Sequence, residues 1–257
     1  MKEFDKLKQI IEELRHPNTG CPWDIKQTPK SLIPNFIEEL YECIEAIEEE
    51  DYVNLEEELG DIILHVLMQV QMAEENSRFT MQSVLDKINS KLIRRHPHIF
   101  GDGEVTDVEG VKLNWEKIKL QEKSARKSVL EGIPKNMPAL IVAQRMQEKA
   151  ASVGFDWKDV YPAIKKLEEE TLEFDEAFRA EDRVEMEKEL GDMLFSIVNI
   201  SRKLGFDTET ALRGTINKFE TRFSYVEEHF KRENKDMREC KLEELDEVWD
   251  EAKKKEQ

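Results

Sequence analysis

Glycine, proline and cysteine are all scarce in this sequence, and each scarcity excludes a class of structure. Only ten glycines and eight prolines interrupt 257 residues, which favours long uninterrupted helices. Alternating valine-rich runs are also scarce, and this argues against a substantial sheet. The three cysteines, Cys21, Cys43 and Cys240, are odd in number and scattered. They favour reduced thiols in a cytoplasmic setting over a disulfide framework or a zinc site.

Positive charge and long apolar runs are scarce as well. The formal net charge is −18, which argues against nucleic acid or anionic lipid as the main partner, since both require a basic surface. No stretch reaches the roughly 18 apolar residues of a membrane span, and the N-terminus has no apolar signal core. Hydrophobic residues make up 39% and charged residues 37%, which is typical of a helical protein with narrow apolar stripes. We therefore expect an all-α cytoplasmic protein.

One acidic helical hairpin occurs twice. The first copy runs from Glu38 to Leu64 and the second from Glu169 to Phe195, and a shift of 131 positions aligns them without a gap. Such a long self-match indicates two copies of one structural unit. The polar segment 121–138 contains one glycine and two prolines, which favours a linker. We predict an N-terminal domain at residues 1–121 and a C-terminal domain at residues 122–257.

Each copy carries two pairs of acidic residues at helical spacing. In the second copy, Glu170 and Glu173 are three residues apart, as are Glu189 and Asp192, so each pair projects from one face of its helix. If the chain reverses between the pairs, the four carboxylates converge. Like charges in contact oppose folding, whereas oxygen-only ligation suits Mg²⁺ or Mn²⁺. We therefore predict a metal site here and another at the equivalent first-copy residues, which are Glu39, Glu42, Glu58 and Asp61.

Other residues of the hairpins give further predictions. Gly60 and Gly191 lie mid-helix, where glycine costs about 0.5–1 kcal/mol relative to alanine, and this predicts close approach of a neighbouring helix. His65, seven residues after Glu58, could line the first site, although a buried histidine with satisfied hydrogen bonds is the commoner case. The apolar positions of the same helix predict a buried stripe of Leu55, Leu59, Ile62, Ile63, Val66, Leu67 and Val70.

The ordered motifs resemble those of the MazG-type nucleoside triphosphate pyrophosphohydrolases. They are Glu-Glu-x-x-Glu followed by Glu-x-x-Asp in both copies, with GCPWD and RRHPHIFGD in the first unit and VGFDW and NKFETRF in the second. The resemblance covers nearly the whole chain. It implies an all-α fold of two tandem MazG-like domains, forming four-helix-bundle-type units completed by dimerisation. It also implies Mg²⁺-dependent cleavage of NTPs and dNTPs to the monophosphate and pyrophosphate.

The resemblance also assigns roles to single residues. It implies metal ligation by Glu170, Glu173, Glu189 and Asp192, and an equivalent first site formed by Glu39, Glu42, Glu58 and Asp61. It implies nucleotide contacts by Lys166, Lys218, Arg222, Trp249 and Lys253. The second repeat is expected to be the main active one, and Asn35 stands in the first repeat where the second has Lys166.

The expected mechanism is attack of a metal-activated water on the α-phosphorus. Glu38 or Glu169, each next to a predicted ligand, would take the proton of this water. A di-iron carboxylate bundle is disfavoured, because it would use two Glu-x-x-His pairs. Two alternatives stay open: a related dinucleotide or diphosphate hydrolase with the same metal site, and a non-catalytic regulator that binds nucleotide or a partner protein.

Overall fold

The computed structural model describes residues 2–101, 107, 110–111, 114–115, 118, 122 and 128–255. Within these residues the chain is all-α, as predicted, and has no β-strand. It separates into two compact units, Met1–Val111 and Lys112–Gln257. The predicted division after residue 121 stays a prediction, because Gln121 lies outside the described residues. No helix in the described ranges is long and apolar enough to cross a membrane.

The first unit is built on a pair of long consecutive helices. Its elements are α1 (Lys2–Leu14), α2 (Pro22–Lys26), α3 (Ile33–Glu48), α4 (Tyr52–Glu75), α5 (Met81–Arg95) and α6 (Pro97–Phe100). Both α1 and α3 pack against α4. The core between these helices contains Ile11, Leu32, Leu67, Met72 and Met81. The acidic residues of the first copy therefore lie on the α3–α4 pair.

The second unit repeats this helical pair and adds a further hairpin. Its elements are α7 (Ala139–Ala151), α8 (Tyr161–Arg179), α9 (Arg183–Leu204), α10 (Thr208–Arg232), a 3₁₀ turn (Met237–Glu239) and α11 (Leu242–Lys255). Helix α9 packs against α8 and α7, and α10 packs against α11. Val226, Phe230 and Val248 form the core of the α10–α11 hairpin. The second acidic copy lies on the α8–α9 pair.

The two helices of each long pair are connected by the same kind of two-residue turn. Glu50 and Glu181 adopt left-handed backbone angles, with φ of 56° and 55°. The next residue, Asp51 or Asp182, donates its backbone N–H to a carbonyl of the preceding helix at 2.9 or 3.0 Å. Its carboxylate then accepts hydrogen bonds from the first N–H groups of the following helix. One aspartate thus caps the C-terminus of one helix and the N-terminus of the next. The chain therefore reverses between the acidic pairs.

Part of the predicted buried stripe is exposed, contrary to expectation. Leu67 and Val70 are buried, but three predicted positions are 40–47% exposed: Leu59, Ile63 and Val66. Their counterparts in the second unit, for which no burial was predicted, are 40–50% exposed: Leu190, Leu194 and Ile197. The stripe is wider than the surface that the neighbouring helices of one unit cover. Each unit therefore leaves an apolar face open, formed by these three residues of α4 or of α9.

The close helix approach predicted at Gly60 and Gly191 is absent from the described part of the chain. A Cβ atom added at either glycine would meet no atom within 4 Å, and both residues are exposed. Each glycine directly follows the first leucine of the open apolar face. The space beside it belongs to the same uncovered surface.

Glycine at position 181 should stabilise the second hairpin. A left-handed φ strains residues that carry a Cβ, so Glu181→Gly should raise the free energy of unfolding by about 0.5–1 kcal/mol. Chemical denaturation measures this change. The matched control is Glu187→Gly on an exposed helix interior, which should lower stability by about 1 kcal/mol. Equal losses in the two variants would contradict the left-handed turn.

Candidate metal and nucleotide site

Helices α3 and α4 bring three acidic side chains of the first unit together. Glu39 comes from α3, and Glu58 and Asp61 come from α4. One carboxylate oxygen of each lies within 4.8 Å of the others; we call these residues the first cluster. Glu42 is exposed and lies outside this group. Burial first, and then the charges of neighbouring carboxylates that include Glu42, raise the pKa of Glu39 and of Glu58.

Helices α8 and α9 form the second cluster, which consists of Glu170, Glu173 and Glu189. Their carboxylate oxygens also lie within 4.8 Å of one another. Glu170 and Glu189 are buried, whereas Glu173 is exposed. Burial, hydrogen bonding to Glu170 and the charge of Glu173 raise the pKa of Glu189 to about 6. Asp192 is exposed and lies outside the group, so three of the four predicted carboxylates converge in each unit.

A lysine distinguishes the second cluster from the first. The Lys166 ammonium donates to Glu169 Oε1 at 2.8 Å and lies 2.7 Å from Glu170 Oε1. This contact lowers the pKa of Glu170, so that carboxylate is ionised in the middle of an acidic group. The first unit has the neutral Asn35 at this position. The second cluster therefore contains one positive charge that the first lacks.

Both clusters fit a hard divalent cation. Each offers three converging carboxylates, the ligand type that Mg²⁺ and Mn²⁺ prefer. The raised pKa values of Glu39, Glu58 and Glu189 show that the protein environment opposes full ionisation of these groups. A bound cation would favour the ionised carboxylates and remove their mutual repulsion.

The two candidate bases lie at the edges of the clusters. Glu169 is exposed and accepts the hydrogen bond from Lys166. Glu38 is exposed, and its charge contributes to the raised pKa of Glu39. Each is adjacent in sequence to a cluster member without belonging to the cluster. A water molecule at either cluster would therefore have a solvent-accessible carboxylate nearby.

The α10–α11 hairpin brings two of the predicted nucleotide contacts together, Arg222 and Trp249. The Arg222 guanidinium lies 5.8 Å from the ring centroid of Trp249, and Lys218 is exposed on α10. The predicted contact Lys253 forms an ion pair with Asp250 at 2.8 Å on α11. Phe219, which sequence reasoning missed although it lies in the NKFETRF motif, is 5.1 Å from Trp249 between ring centroids. This aromatic pair beside the Arg222 guanidinium can stack on a base and contact a phosphate.

A family model and two curated relatives place the chain in one family. A model of the MazG nucleotide pyrophosphohydrolase domain matches residues 27–100 and again residues 159–226. The chain is 47% identical over 251 residues to a Thermotoga maritima protein named nucleoside triphosphate pyrophosphohydrolase/pyrophosphatase MazG, with 97% of this chain and 95% of that protein covered. It is 40% identical over 260 residues to an Escherichia coli nucleoside triphosphate pyrophosphohydrolase, with 100% and 99% covered. A solved mazG-related protein from Thermotoga maritima is 31% identical, covering 45% of this chain and 97% of that one, with a TM-score of 0.39.

Without a divalent cation, Glu189 of the second cluster should make stability fall as pH rises through its pKa. The pKa of Glu189 in the folded chain, about 6, lies above its ordinary value of 4.5. This contribution to stability is therefore fully present below pH about 4.5 and is lost as pH rises through about 6. Thermal unfolding in EDTA between these pH values measures it. Glu189→Gln is the control and should flatten the profile, and identical profiles of parent and variant would contradict the raised pKa.

Proposed function

The chain belongs to the MazG nucleotide pyrophosphohydrolase family, and from this premise we propose that it hydrolyses NTPs and dNTPs to the nucleoside monophosphate and pyrophosphate with Mg²⁺ as cofactor. The observation that carries the proposal is the convergence of Glu170, Glu173 and Glu189 within 4.8 Å. Such a group repels itself unless a cation is present, and the substrates of this family are polyphosphates that themselves require charge neutralisation.

The second cluster would hold the metal ion, with the exposed Asp192 completing the set from the edge of α9. When bound, Mg²⁺ or Mn²⁺ supplies positive charge to phosphate oxygens and lowers the pKa of water. The first cluster, with Glu42 at its edge, would hold a cation in the same way.

Glu169 would act as the general base at the second cluster. Its carboxylate would accept a proton from the water that attacks the α-phosphorus, and Glu38 has the equivalent place in the first repeat. The Lys166 ammonium donates to Glu169 Oε1 at 2.8 Å, so a positive charge lies beside this carboxylate. The bond between the α-phosphorus and the bridging oxygen breaks, so the products are the monophosphate and intact pyrophosphate.

The cationic residues of the second unit would bind the negative charge of the substrate. Four side chains would contact phosphate oxygens and stabilise the charge that develops on the leaving pyrophosphate. These are Lys166, Lys218, Arg222 and Lys253. Trp249 with Phe219 would stack on the base, a contact that tolerates every base because each has a π-face. The first repeat lacks the equivalent of Lys166, which supports the second repeat as the main active one.

A second copy of this chain would cover the open apolar faces. Leu59, Ile63 and Val66 are exposed on α4, and their counterparts are exposed on α9. Contiguous exposed apolar surface of this kind marks an interaction site, and helices with small residues such as Gly60 and Gly191 can be approached closely there. Burying these faces between two chains would form four-helix bundles around the clusters. We propose a homodimer.

Turnover should depend on the second cluster. Glu173→Gln removes a charged ligand and should lower Mg²⁺-dependent turnover by about 100-fold or more, while Glu42→Gln should keep most of it. Incubation with NTPs and dNTPs, followed by ion-exchange separation of products, measures both rate and cleavage position. Glu187→Gln, exposed on α9 outside the cluster, is the matched control. Full turnover in Glu173→Gln, or release of orthophosphate, would contradict the proposal.

The same assay separates the two alternatives. A dinucleotide or diphosphate hydrolase would turn over those substrates much faster than any triphosphate. A non-catalytic regulator would bind nucleotide, as calorimetry would detect, without forming product in the parent chain.

A charge in the open face should break the homodimer. Leu194→Glu would bury an unpaired carboxylate in the interface, so sedimentation equilibrium should give the mass of two chains for the parent and of one for the variant. Leu242→Glu is the control, since Leu242 is exposed outside that face. A monomeric parent, or a dimeric Leu194→Glu variant, would contradict the proposed assembly.

A further inference from the structure

A histidine lies at the first cluster and has no role in the mechanism above. His65 follows Glu58 by seven residues and Asp61 by four on α4, so the three share one helix face. Only 7% of the residue is exposed. The imidazole stacks on Phe36, with ring centroids 5.6 Å apart and an interplanar angle of 17°. Burial and stacking therefore hold the ring in place beside the acidic group.

The ring nitrogens of His65 are not satisfied by hydrogen bonds, contrary to the commoner case for a buried histidine. Nδ1 is buried and has no partner among the described residues. Nε2 faces Glu39 Oε1 at 3.7 Å, which is longer than a hydrogen bond. A neutral imidazole has one nitrogen lone pair free to bind a metal.

The separation of Nε2 and the Glu39 carboxylate suits a shared metal ion. Two donor atoms that each lie about 2.1 Å from one ion are about 3.0–4.2 Å apart, depending on the angle between the bonds. The observed 3.7 Å falls inside this range. Asp61 belongs to the same group as Glu39, with carboxylate oxygens of the two within 4.8 Å of each other, so a second carboxylate lies beside the one that faces Nε2.

The second cluster has no nitrogen donor at this position. The residue equivalent to His65 under the 131-residue shift is Ser196, which is buried. Instead, the Lys166 ammonium lies against the second cluster, and an ammonium cannot ligate a metal. The two repeats thus offer different donor sets: carboxylates with an imidazole in the first, and carboxylates alone in the second.

From this difference we propose that His65 is a nitrogen ligand of the first cluster, which therefore binds a first-row transition-metal ion in preference to Mg²⁺. Imidazole suits ions such as Co²⁺, Ni²⁺ and Zn²⁺, whereas all-oxygen sites suit Mg²⁺. The second cluster remains the magnesium site. The inference rests on the proposed function only in that both clusters bind metal, and it holds whether or not the first repeat turns over nucleotide.

The test measures metal binding to the full chain with the second cluster neutralised by Glu170→Gln and Glu173→Gln. Calorimetric titrations with Co²⁺ and with Mg²⁺ give the affinity ratio of the first cluster. In this background, His65→Ser, which installs the residue of the second copy, should weaken Co²⁺ binding by about tenfold or more and change Mg²⁺ binding much less. His65→Gln, closer in size, provides the same comparison if the serine variant does not fold.

Pulsed EPR of bound Mn²⁺ tests the ligand directly. The chain with the neutralised second cluster should show coupling from a ¹⁴N nucleus, and His65→Ser should remove it. His98→Gln is the matched control, because His98 lies outside the cluster, and it should leave the coupling intact. The reciprocal change, Ser196→His in a chain with Glu39→Gln and Glu58→Gln, should introduce nitrogen coupling at the second cluster.

The outcomes separate this inference from the proposed function. An unchanged Co²⁺-to-Mg²⁺ affinity ratio in His65→Ser, or nitrogen coupling that persists there, would overturn the His65 assignment alone. Weaker Co²⁺ binding without any ¹⁴N coupling in the parent would also overturn it, because His65 would then only position Glu39. Failure of every metal to bind at the first cluster would overturn both this assignment and a metal-dependent first repeat. A loss of nucleotide turnover with intact metal binding would contradict only the proposed function.

Discussion

The rest of this structure depends on the repulsion among three carboxylates in each unit. Two consecutive helices hold the oxygens of these carboxylates within 4.8 Å of one another. The helices keep the charges together because the Glu-Asp turn fixes where the chain reverses, and the buried parts of α4 and α9 pack into their units. Electrostatic repulsion in the clusters therefore lowers the free energy of unfolding. When a divalent cation is bound, the same carboxylates stabilise the folded chain instead of destabilising it. A hydrolase for polyphosphates can therefore use this geometry to bind both metal and substrate.

The two repeats differ in the side chains that lie beside their acidic clusters. In the second, Lys166 supplies a positive charge from α8, one turn before Glu170. In the first, Asn35 supplies none, and the pKa values of Glu39 and Glu58 are raised. The buried imidazole of His65 lies beside that cluster on α4 instead. The carboxylates are thus the same in both repeats, whereas the neighbouring side chains differ. Different ligand atoms beside the carboxylates can give two sites of one fold different metal preferences.

The helical pairs and their acidic residues could be predicted from the sequence because they follow from spacing within a helix. Glu170 and Glu173 share a face by geometry alone, and the 131-residue repeat supplied an independent check. Burial could not be predicted as well, since it depends on what packs against a helix. Leu59 and Leu67 have the same chemistry, yet only Leu67 is covered. Spacing likewise did not predict that Asp192 lies outside its cluster, although it follows Glu189 by the same three residues as Asp61 follows Glu58.

Anomalous X-ray scattering from crystals grown with Mn²⁺ tests the central claim most directly. If the carboxylate groups are metal sites, anomalous peaks should lie between Glu170, Glu173 and Glu189 and between Glu39, Glu58 and Asp61. The peak in the first repeat should also lie within bonding distance, about 2.1–2.3 Å, of His65 Nε2. Peaks confined to other surfaces at saturating Mn²⁺, with both clusters empty, would contradict the account.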